Sequence, residues 1–133
     1  MALNQEIVNF AFWKLNVVDE TQVPTAVQAS TGLTVLNDML ANQAADGMRL
    51  GWWPQTNLAA TAPLRASDIE GVKYMLTRAL AAHYGITLKD QLLIALINDA
   101  ERQLTKRSLR YMESDLGELQ RAQGGPWGGP NWI

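Results

Sequence analysis

The chain has 133 residues, of which 47% are hydrophobic, with a formal net charge of −2 and no cysteine. This length suits one domain with one hydrophobic core. The lack of cysteine excludes disulfides, thiolate metal sites and cysteine catalysis. A DNA-binding protein of this size usually carries a basic excess, because its affinity depends on neutralising phosphates, so the slight acidic excess argues against that class.

The start of the chain does not have the pattern of a signal peptide. No basic residue precedes the first apolar stretch, which Asn9 and Lys14 interrupt. No apolar run approaches the roughly 20 residues that cross a membrane. We therefore expect a protein that is synthesised in a cytoplasm and has no membrane partner.

Apolar residues at helical spacing predict two helices in the first third of the chain. The first runs from about 4 to 16, with Asn4 as its N-cap, and is apolar on two faces. The second runs from about 24 to 45, roughly 33 Å long, with Pro24 in its first turn. Asp46–Gly47 should end it, because glycine accepts the left-handed conformation after a helix.

An irregular segment follows from Met48 to Ala66, where Pro54 and Pro63 prevent a helix. A connection of about 19 residues is uncommon in a compact domain and is often functional. It contains Trp52 and Trp53, which we interpret as a lid over the core or as part of an interface.

Two more helices complete the domain. A capping box of Ser67 and Glu70 should begin the third helix, and Gly85 should end it. Thr87 should cap the fourth helix, which continues to about residue 120.

The fourth helix changes character halfway along its length. In its first half, one stripe should face the core of the domain: Leu93, Ile97, Ala100 and Leu104. A second apolar face predicts burial on another side: Leu88, Leu92 and Ala95. In its second half, a narrow stripe among charged residues is rotated by roughly 100° from the first. This distal stripe consists of Leu109, Met112, Leu116 and Leu119.

The length of this helix implies that its second half projects. It would be ~50 Å long, whereas a compact chain of this size has a diameter of ~36 Å. An apolar stripe on a projecting helix is typical of a surface that another chain buries. We therefore predict a protein interface at the distal stripe, with Arg107 and Arg110 beside it.

Residues 123–133 combine glycine and proline with three large apolar side chains, Trp127, Trp132 and Ile133. Glycine and proline in this density disfavour both helix and central strand. A purely flexible linker would not need tryptophan. We interpret the segment as an extended docking tail whose apolar side chains fill pockets elsewhere.

The sequence contains no recognisable catalytic constellation. His83 is the only histidine and lies on the apolar face of the third helix, so we interpret it as structural. A basic cluster in the fourth helix is interleaved with acidic residues, which favours a solvated or interface-pairing face over a phosphate site. The cluster consists of Arg102, Lys106, Arg107 and Arg110. We expect no catalytic residue, cofactor or metal.

Several stretches follow one another in an order and spacing that match a known family. They are, in chain order, 6–15 with Val17, 36–40, Asp46–Gly47 with Gly51 and Trp52, 81–85, and Ala100 with Lys106–Arg107. Together they resemble the head-to-tail adaptors, also called tail accessory factors or head-completion proteins, of short-tailed bacteriophages. The resemblance covers roughly residues 3–110. It departs from the family at Gln43, where a bulky aromatic residue is expected, and after Arg121.

The resemblance implies a structural, non-enzymatic virion protein at the head-tail junction, made in the host cytoplasm. It implies a homo-oligomeric ring, a dodecamer, that binds the portal protein and the tail or nozzle proteins. DNA would pass through the lumen without sequence-specific binding, and the ring would help to retain packaged DNA.

We therefore expect an all-α fold, a bundle of four main helices with a long projecting last helix and an extended C-terminal tail. Residues 1–122 would form the helical adaptor domain and 123–133 the docking tail. Two alternatives stay open. A DNA-binding packaging or regulatory protein of small-terminase type would show salt-dependent DNA binding, and a small muramidase-like hydrolase would show turnover.

Overall fold

The computed structural model is all-α, as the sequence predicts. It describes residues 2–48 and 50–122, with side chains as far as residue 111. The four helices are α1 at Asn4–Lys14, α2 at Ala26–Ala45, α3 at Ala66–Tyr84 and α4 at Gln91–Ala122. None of the helices in this part of the chain is long and apolar enough to span a membrane.

Helix α3 lies at the centre of the arrangement. It packs against α1, α2 and α4, and α1 also packs against α2. Within the described residues, α4 packs against α3 and against no other helix. Contacts from Arg78 to Glu101 and from Asp68 to Tyr111 show that α3 and α4 run antiparallel. The fold is thus a three-helix core with a fourth helix attached to its central member.

The core lies between α1, α2 and α3 and is closed by the segment between α2 and α3. Its largest fully buried side chains include Phe12, Ile7, Leu36, Met75 and Leu76. Met48 and Leu64 of the connecting segment are also buried in this cluster. The segment is therefore a lid over the core, one of the two roles that its tryptophans suggested.

Helix α4 contributes one face to the interior. The predicted inner stripe is buried at Leu93, Ile97, Ala100 and Leu104. The predicted second buried face is wrong at Leu92, which is 69% exposed, and at Ala95, whereas Leu88 precedes the helix and is partly buried against the core. A helix that packs against a single neighbour has only one face to bury, so Leu92 and Ala95 point to solvent.

Two helical glycines lie where neighbouring helices approach each other closely. A Cβ atom added at Gly71 of α3 would lie 2.8 Å from Leu104 Cγ of α4. One added at Gly32 of α2 would lie 2.5 Å from Val8 Cγ1 of α1. Any larger residue at either position would push two helices apart.

The predicted helix ends are confirmed. Gly47 follows the C-cap residue of α2 with φ of 99°, and Gly85 is the C-cap of α3 with φ of 69°. Both values lie in the left-handed region, where a side chain would be strained.

The predicted helix starts need correction at all four helices. Leu3, not Asn4, is the N-cap of α1, and its N–H donates to the Glu6 carboxylate at 2.8 Å. Thr25 forms a capping box with α2 and leaves Pro24 outside the helix. The N-cap of α3 is Arg65, which places Ser67 and Glu70 inside it. At α4 the carboxylate of Asp90, rather than Thr87, accepts the N–H of Leu92 at 3.0 Å.

Candidate assembly interface

The first residue of the distal stripe is a solvent-exposed leucine. Leu109 is 55% exposed, next to Ser108, which is buried. The helical backbone continues through the other members of the stripe, whose side chains lie outside the described residues: Met112, Leu116 and Leu119. Burial of this stripe by another chain stays a prediction.

Helix α4 continues beyond the helix on which it packs. Tyr111 contacts Asp68, which lies in the first turn of α3. The level of Tyr111 is therefore where α3 begins. Residues 112–122 continue as helix past that level for roughly 16 Å at 1.5 Å per residue. The distal stripe lies mostly on this extension.

A buried polar cluster holds α4 to α3 at the base of the extension. The Asp68 carboxylate is fully buried, and the Tyr111 hydroxyl donates to both of its oxygens at 3.3 Å. Arg107 Nη1 lies 3.8 Å from Asp68 Oδ1 and donates to the carbonyl of Ser67. The Arg65 guanidinium stacks 3.4 Å above the centre of the Tyr111 ring. We call this set the Asp68 cluster.

The electrostatics of the Asp68 cluster are dominated by burial. Removal from water raises the pKa of Asp68 above its ordinary value of 3.8, because it penalises the ionised form. The Tyr111 hydrogen bond and the positive charges of Arg107 and Arg65 act in the opposite direction. The charged and aromatic groups of this cluster bind α4 to the start of α3, and they do not line an open cleft.

The four residues of the predicted basic cluster have two kinds of environment in the structure. Arg107 is bound to Asp68 within the chain, and Arg102 pairs with Asp99 at 2.7 Å. Lys106 and Arg110 are exposed on the outer side of α4. Arg110 is exposed next to Leu109, and its role in an interface stays a prediction, whereas Arg107 pairs with Asp68 within the chain.

The two loop tryptophans have different environments. Trp52 is half-buried, and its indole N–H donates to Asn37 Oδ1 at 3.0 Å, which fastens the loop to α2. Trp53 is 62% exposed. Of the two, Trp53 is the one available to another molecule.

Sequence reasoning missed a polar network that fixes the loop. The Asn37 amide donates to the Gln55 carbonyl at 2.8 Å, and the Gln55 N–H donates back to Asn37 Oδ1 at 2.9 Å. Buried Asn4 donates from Nδ2 to Gln55 Oε1 at 3.1 Å and to the Asn57 carbonyl at 3.0 Å. The sequence does contain one indication of this network. Asn37 directly follows Leu36 of the apolar stripe, and a polar side chain so close to the core needs a hydrogen-bond partner.

His83 does not lie on a buried face, which corrects the sequence interpretation. It is exposed at the rim of a shallow groove between α2 and α3, and its ring meets that of Tyr84 edge-on with centroids 5.1 Å apart. The residues that the structure describes contain no group of three His, Asp or Glu side chains placed to hold a metal ion.

The predicted docking tail, with Trp127, Trp132 and Ile133, lies outside the described residues. No protein-family model matches this sequence, and no curated protein is significantly similar to it. We therefore infer the function from the geometry of α4 and its surroundings.

Proposed function

We propose that the protein is a structural head-to-tail adaptor of a short-tailed bacteriophage. It would form a ring under the portal protein, join that ring to tail or nozzle proteins, and help to retain packaged DNA. The observation that carries the proposal is the extension of α4. An exposed Leu109 stands at the base of a helix that runs roughly 16 Å past its own packing partner.

Physical reasons favour a partner for this extension. A helical arm with only solvent around it gains no tertiary packing, which supplies most of the stability of helices in proteins. An apolar stripe left in water also forgoes about 25 cal/mol for each Å² that a partner would cover. A second chain along the distal stripe would satisfy both requirements.

The ion pairs of Arg102 and Arg107 favour an assembly protein over a DNA-binding protein. A phosphate site needs cationic side chains that are free to neutralise phosphate. Arg102 and Arg107 instead have carboxylate partners within the chain. Of the basic cluster, only Lys106 and Arg110 are exposed without an ion pair among the residues that the structure describes. DNA in the lumen of a ring would need no more than weak, sequence-independent contact.

The decisive experiment is to mix the purified protein with a purified portal ring from the same source and to image the product. We expect density for the adaptor on one face of the portal. Leu116→Asp should keep the melting temperature of the wild type and lose this density. Thr34→Asp, at an exposed position on α2, is the matched control and should bind normally.

Two outcomes would contradict the proposal. If Leu116→Asp lowers the melting temperature as a core lesion does, the stripe belongs to the core of its own domain. If the protein ignores the portal but binds DNA with a steep dependence on salt, the small-terminase alternative is correct.

A further inference from the structure

The face of α4 that packs against α3 changes from apolar to polar at its end. Arg107 and Tyr111 continue the alternating spacing of three and four residues that is typical of packed helix pairs. The earlier positions on this face are apolar and buried: Leu93, Ile97, Ala100 and Leu104. The Asp68 cluster therefore occupies the last two positions of an otherwise apolar contact between two helices.

The apolar positions alone do not fix how far α4 is shifted along α3. Their spacing repeats after seven residues, and a shift of seven moves a helix by roughly 10 Å along its axis. Such a shift toward the start of α3 would bring Ile97 to the place of Leu104 beside Gly71. Both are aliphatic side chains of the same size, so this contact discriminates little between the two positions.

The connection between α3 and α4 is long enough to permit the shift. Six residues, 85–90, separate Tyr84 from Gln91. An extended segment of that length reaches about 20 Å, whereas the axes of packed helices lie about 8–10 Å apart. The remaining length is sufficient for α4 to move by roughly 10 Å.

The Asp68 cluster does distinguish between these positions of α4. Tyr111 donates to both oxygens of Asp68 at 3.3 Å, and Arg107 Nη1 lies 3.8 Å from one of them. A shift of one turn moves the Tyr111 hydroxyl by about 5.4 Å and breaks both bonds. A shift of seven residues places apolar Leu104 opposite the fully buried carboxylate. A buried charge that loses its partners is strongly destabilising.

We infer that Asp68 is a positioning residue that sets the register of α4 on α3. The register determines how far α4 projects, because a shift of seven residues would lengthen the extension from roughly 16 Å to roughly 26 Å. A single polar contact in an apolar helix pair can fix register in this way at a cost in stability. The inference rests on the proposed function only for the use of the extension, whose distal stripe must meet its partner at a fixed height.

Distances between spin labels measure the register directly. The chain has no cysteine, so Ala82→Cys and Arg110→Cys place one label on each helix at exposed positions. With Asp68 present, we expect one distance in pulsed electron paramagnetic resonance. Asp68→Leu should add a second population with a distance up to ~10 Å longer. Asp68→Asn keeps an oxygen that accepts the Tyr111 hydroxyl and should show the single distance again.

The other ion pair between the two helices provides the matched control. Arg78 and Glu101 are both well exposed, so Arg78→Gln with Glu101→Gln should keep one distance. A single distance in Asp68→Leu would overturn the inference, because the packing of Leu104 on Gly71 or the connection would then suffice to fix the register. A second distance in the control would overturn it as well, since the loss of any polar contact would then release α4.

A second variant removes the polar groups of the cluster together, so that none is left unpaired. Asp68→Leu combined with Arg107→Met and Tyr111→Phe replaces a buried charge and its partners by apolar groups, which is often neutral or stabilising. We expect a melting temperature at least as high as that of Asp68→Leu alone, and two distances. One distance with cooperative melting would contradict the inference. Loss of cooperative melting in both variants would contradict it too, because the cluster would then be required for folding itself.

The same variants separate this inference from the proposed function. Two distances in Asp68→Leu, from a protein that ignores the portal, would leave the positioning role intact and refute the adaptor role. Portal binding by the wild type, with one distance in every variant, would refute the positioning role alone.

Discussion

Asp68 is a buried carboxylate of α3 that binds Tyr111 of α4. It lies in the first turn of α3, where a negative charge is favoured by the helix dipole. It is also fully buried, which is costly for a charge unless hydrogen bonds and opposite charges compensate. Tyr111, Arg107 and Arg65 supply part of that compensation from α4 and from the start of α3, but burial has the larger effect.

The raised pKa of Asp68 predicts an unusual dependence of stability on pH. In the unfolded chain the group ionises near its ordinary value of 3.8, whereas in the folded chain it holds its proton to higher pH. Its contribution to the free energy of unfolding is therefore greatest below 3.8 and falls as pH rises through the folded pKa. Compared with Asp68→Asn, the wild type should gain stability as pH falls into this range. Urea unfolding at a series of pH values measures the difference.

Glu101 provides a control of opposite sign. The Arg78 hydrogen bond at 2.7 Å lowers the pKa of Glu101 below its ordinary value of 4.5. The stability that this pair contributes is present above 4.5 and is lost as pH falls through the folded pKa. Because both side chains are well exposed, Glu101→Gln should cost only about 0.2–1 kcal/mol at neutral pH. Parallel pH profiles for the two variants would refute at least one of the two assignments.

Asn37 should prove more important than its place on a helix surface suggests. It donates to the Gln55 carbonyl and accepts from the Gln55 N–H and the Trp52 indole. Asn37→Ala removes all three bonds and should lower the free energy of unfolding by about 2–4 kcal/mol, at roughly 1 kcal/mol each. Asn37→Asp keeps both accepted bonds and should cost less. If alanine costs no more than aspartate in denaturant titrations, the network does not hold the loop.

At the scale of the helices, α3 depends on Gly71 to bring α4 close. In an isolated helix, Gly71→Ala would add about 0.5–1 kcal/mol of stability by restricting the unfolded chain. Here the new Cβ would lie 2.8 Å from Leu104 Cγ. We expect a net loss of about 1–3 kcal/mol instead, and a smaller loss when Leu104→Ala is already present. A stabilised Gly71→Ala protein in thermal unfolding would disprove the close packing.

The sequence predicts helices better where local chemistry alone decides the structure. Gly47 and Gly85 end α2 and α3 as predicted, because a left-handed residue after a helix requires nothing from the rest of the fold. The helix starts were wrong because several candidate caps lie within a few residues of one another. Asp90 takes the place predicted for Thr87 only because its carboxylate reaches the Leu92 N–H.

The candidate interface could be predicted only in part from the sequence, because its contacts depend on which helices meet. The rotation of the distal stripe away from the inner stripe predicts an exposed Leu109, which the structure shows. Nothing near Arg107 in sequence indicates that it binds Asp68, and nothing near Leu92 indicates that no helix covers it. The Arg107–Asp68 pair and the exposure of Leu92 depend on which helices pack together. The spacing of apolar residues predicts which face of a helix is apolar, but it does not predict which element packs against that face.

At the scale of the whole molecule, the fold has a core between α1, α2 and α3 and a last helix that extends past it. Helices α1 to α3 bury one another, while α4 attaches through one face and continues past them. Removing residues 124–133 should therefore leave the melting temperature unchanged and weaken portal docking. Loss of two tryptophan contacts worth about 2 kcal/mol each predicts at least a hundredfold drop in affinity.

Deleting these residues also tests the opposite hypothesis, that the tail covers its own domain. In that case the truncated protein would bind the portal normally and melt at a lower temperature. Calorimetry and a binding titration on the same preparation distinguish the two.

The extension of α4 also restricts which insertions the protein can accept during evolution. On a rigid helix, any inserted residue changes both the length of the extension and the direction in which the distal stripe faces. One residue inserted after Tyr111 would advance everything beyond it by about 1.5 Å and turn it by about 100°, away from any partner bound along the distal stripe. Seven inserted residues would add roughly 10 Å and return the stripe to within about 20° of its original direction. A lineage that meets a deeper or shallower binding partner can therefore adjust this arm in steps of two helical turns, and insertions of intermediate length should be selected against.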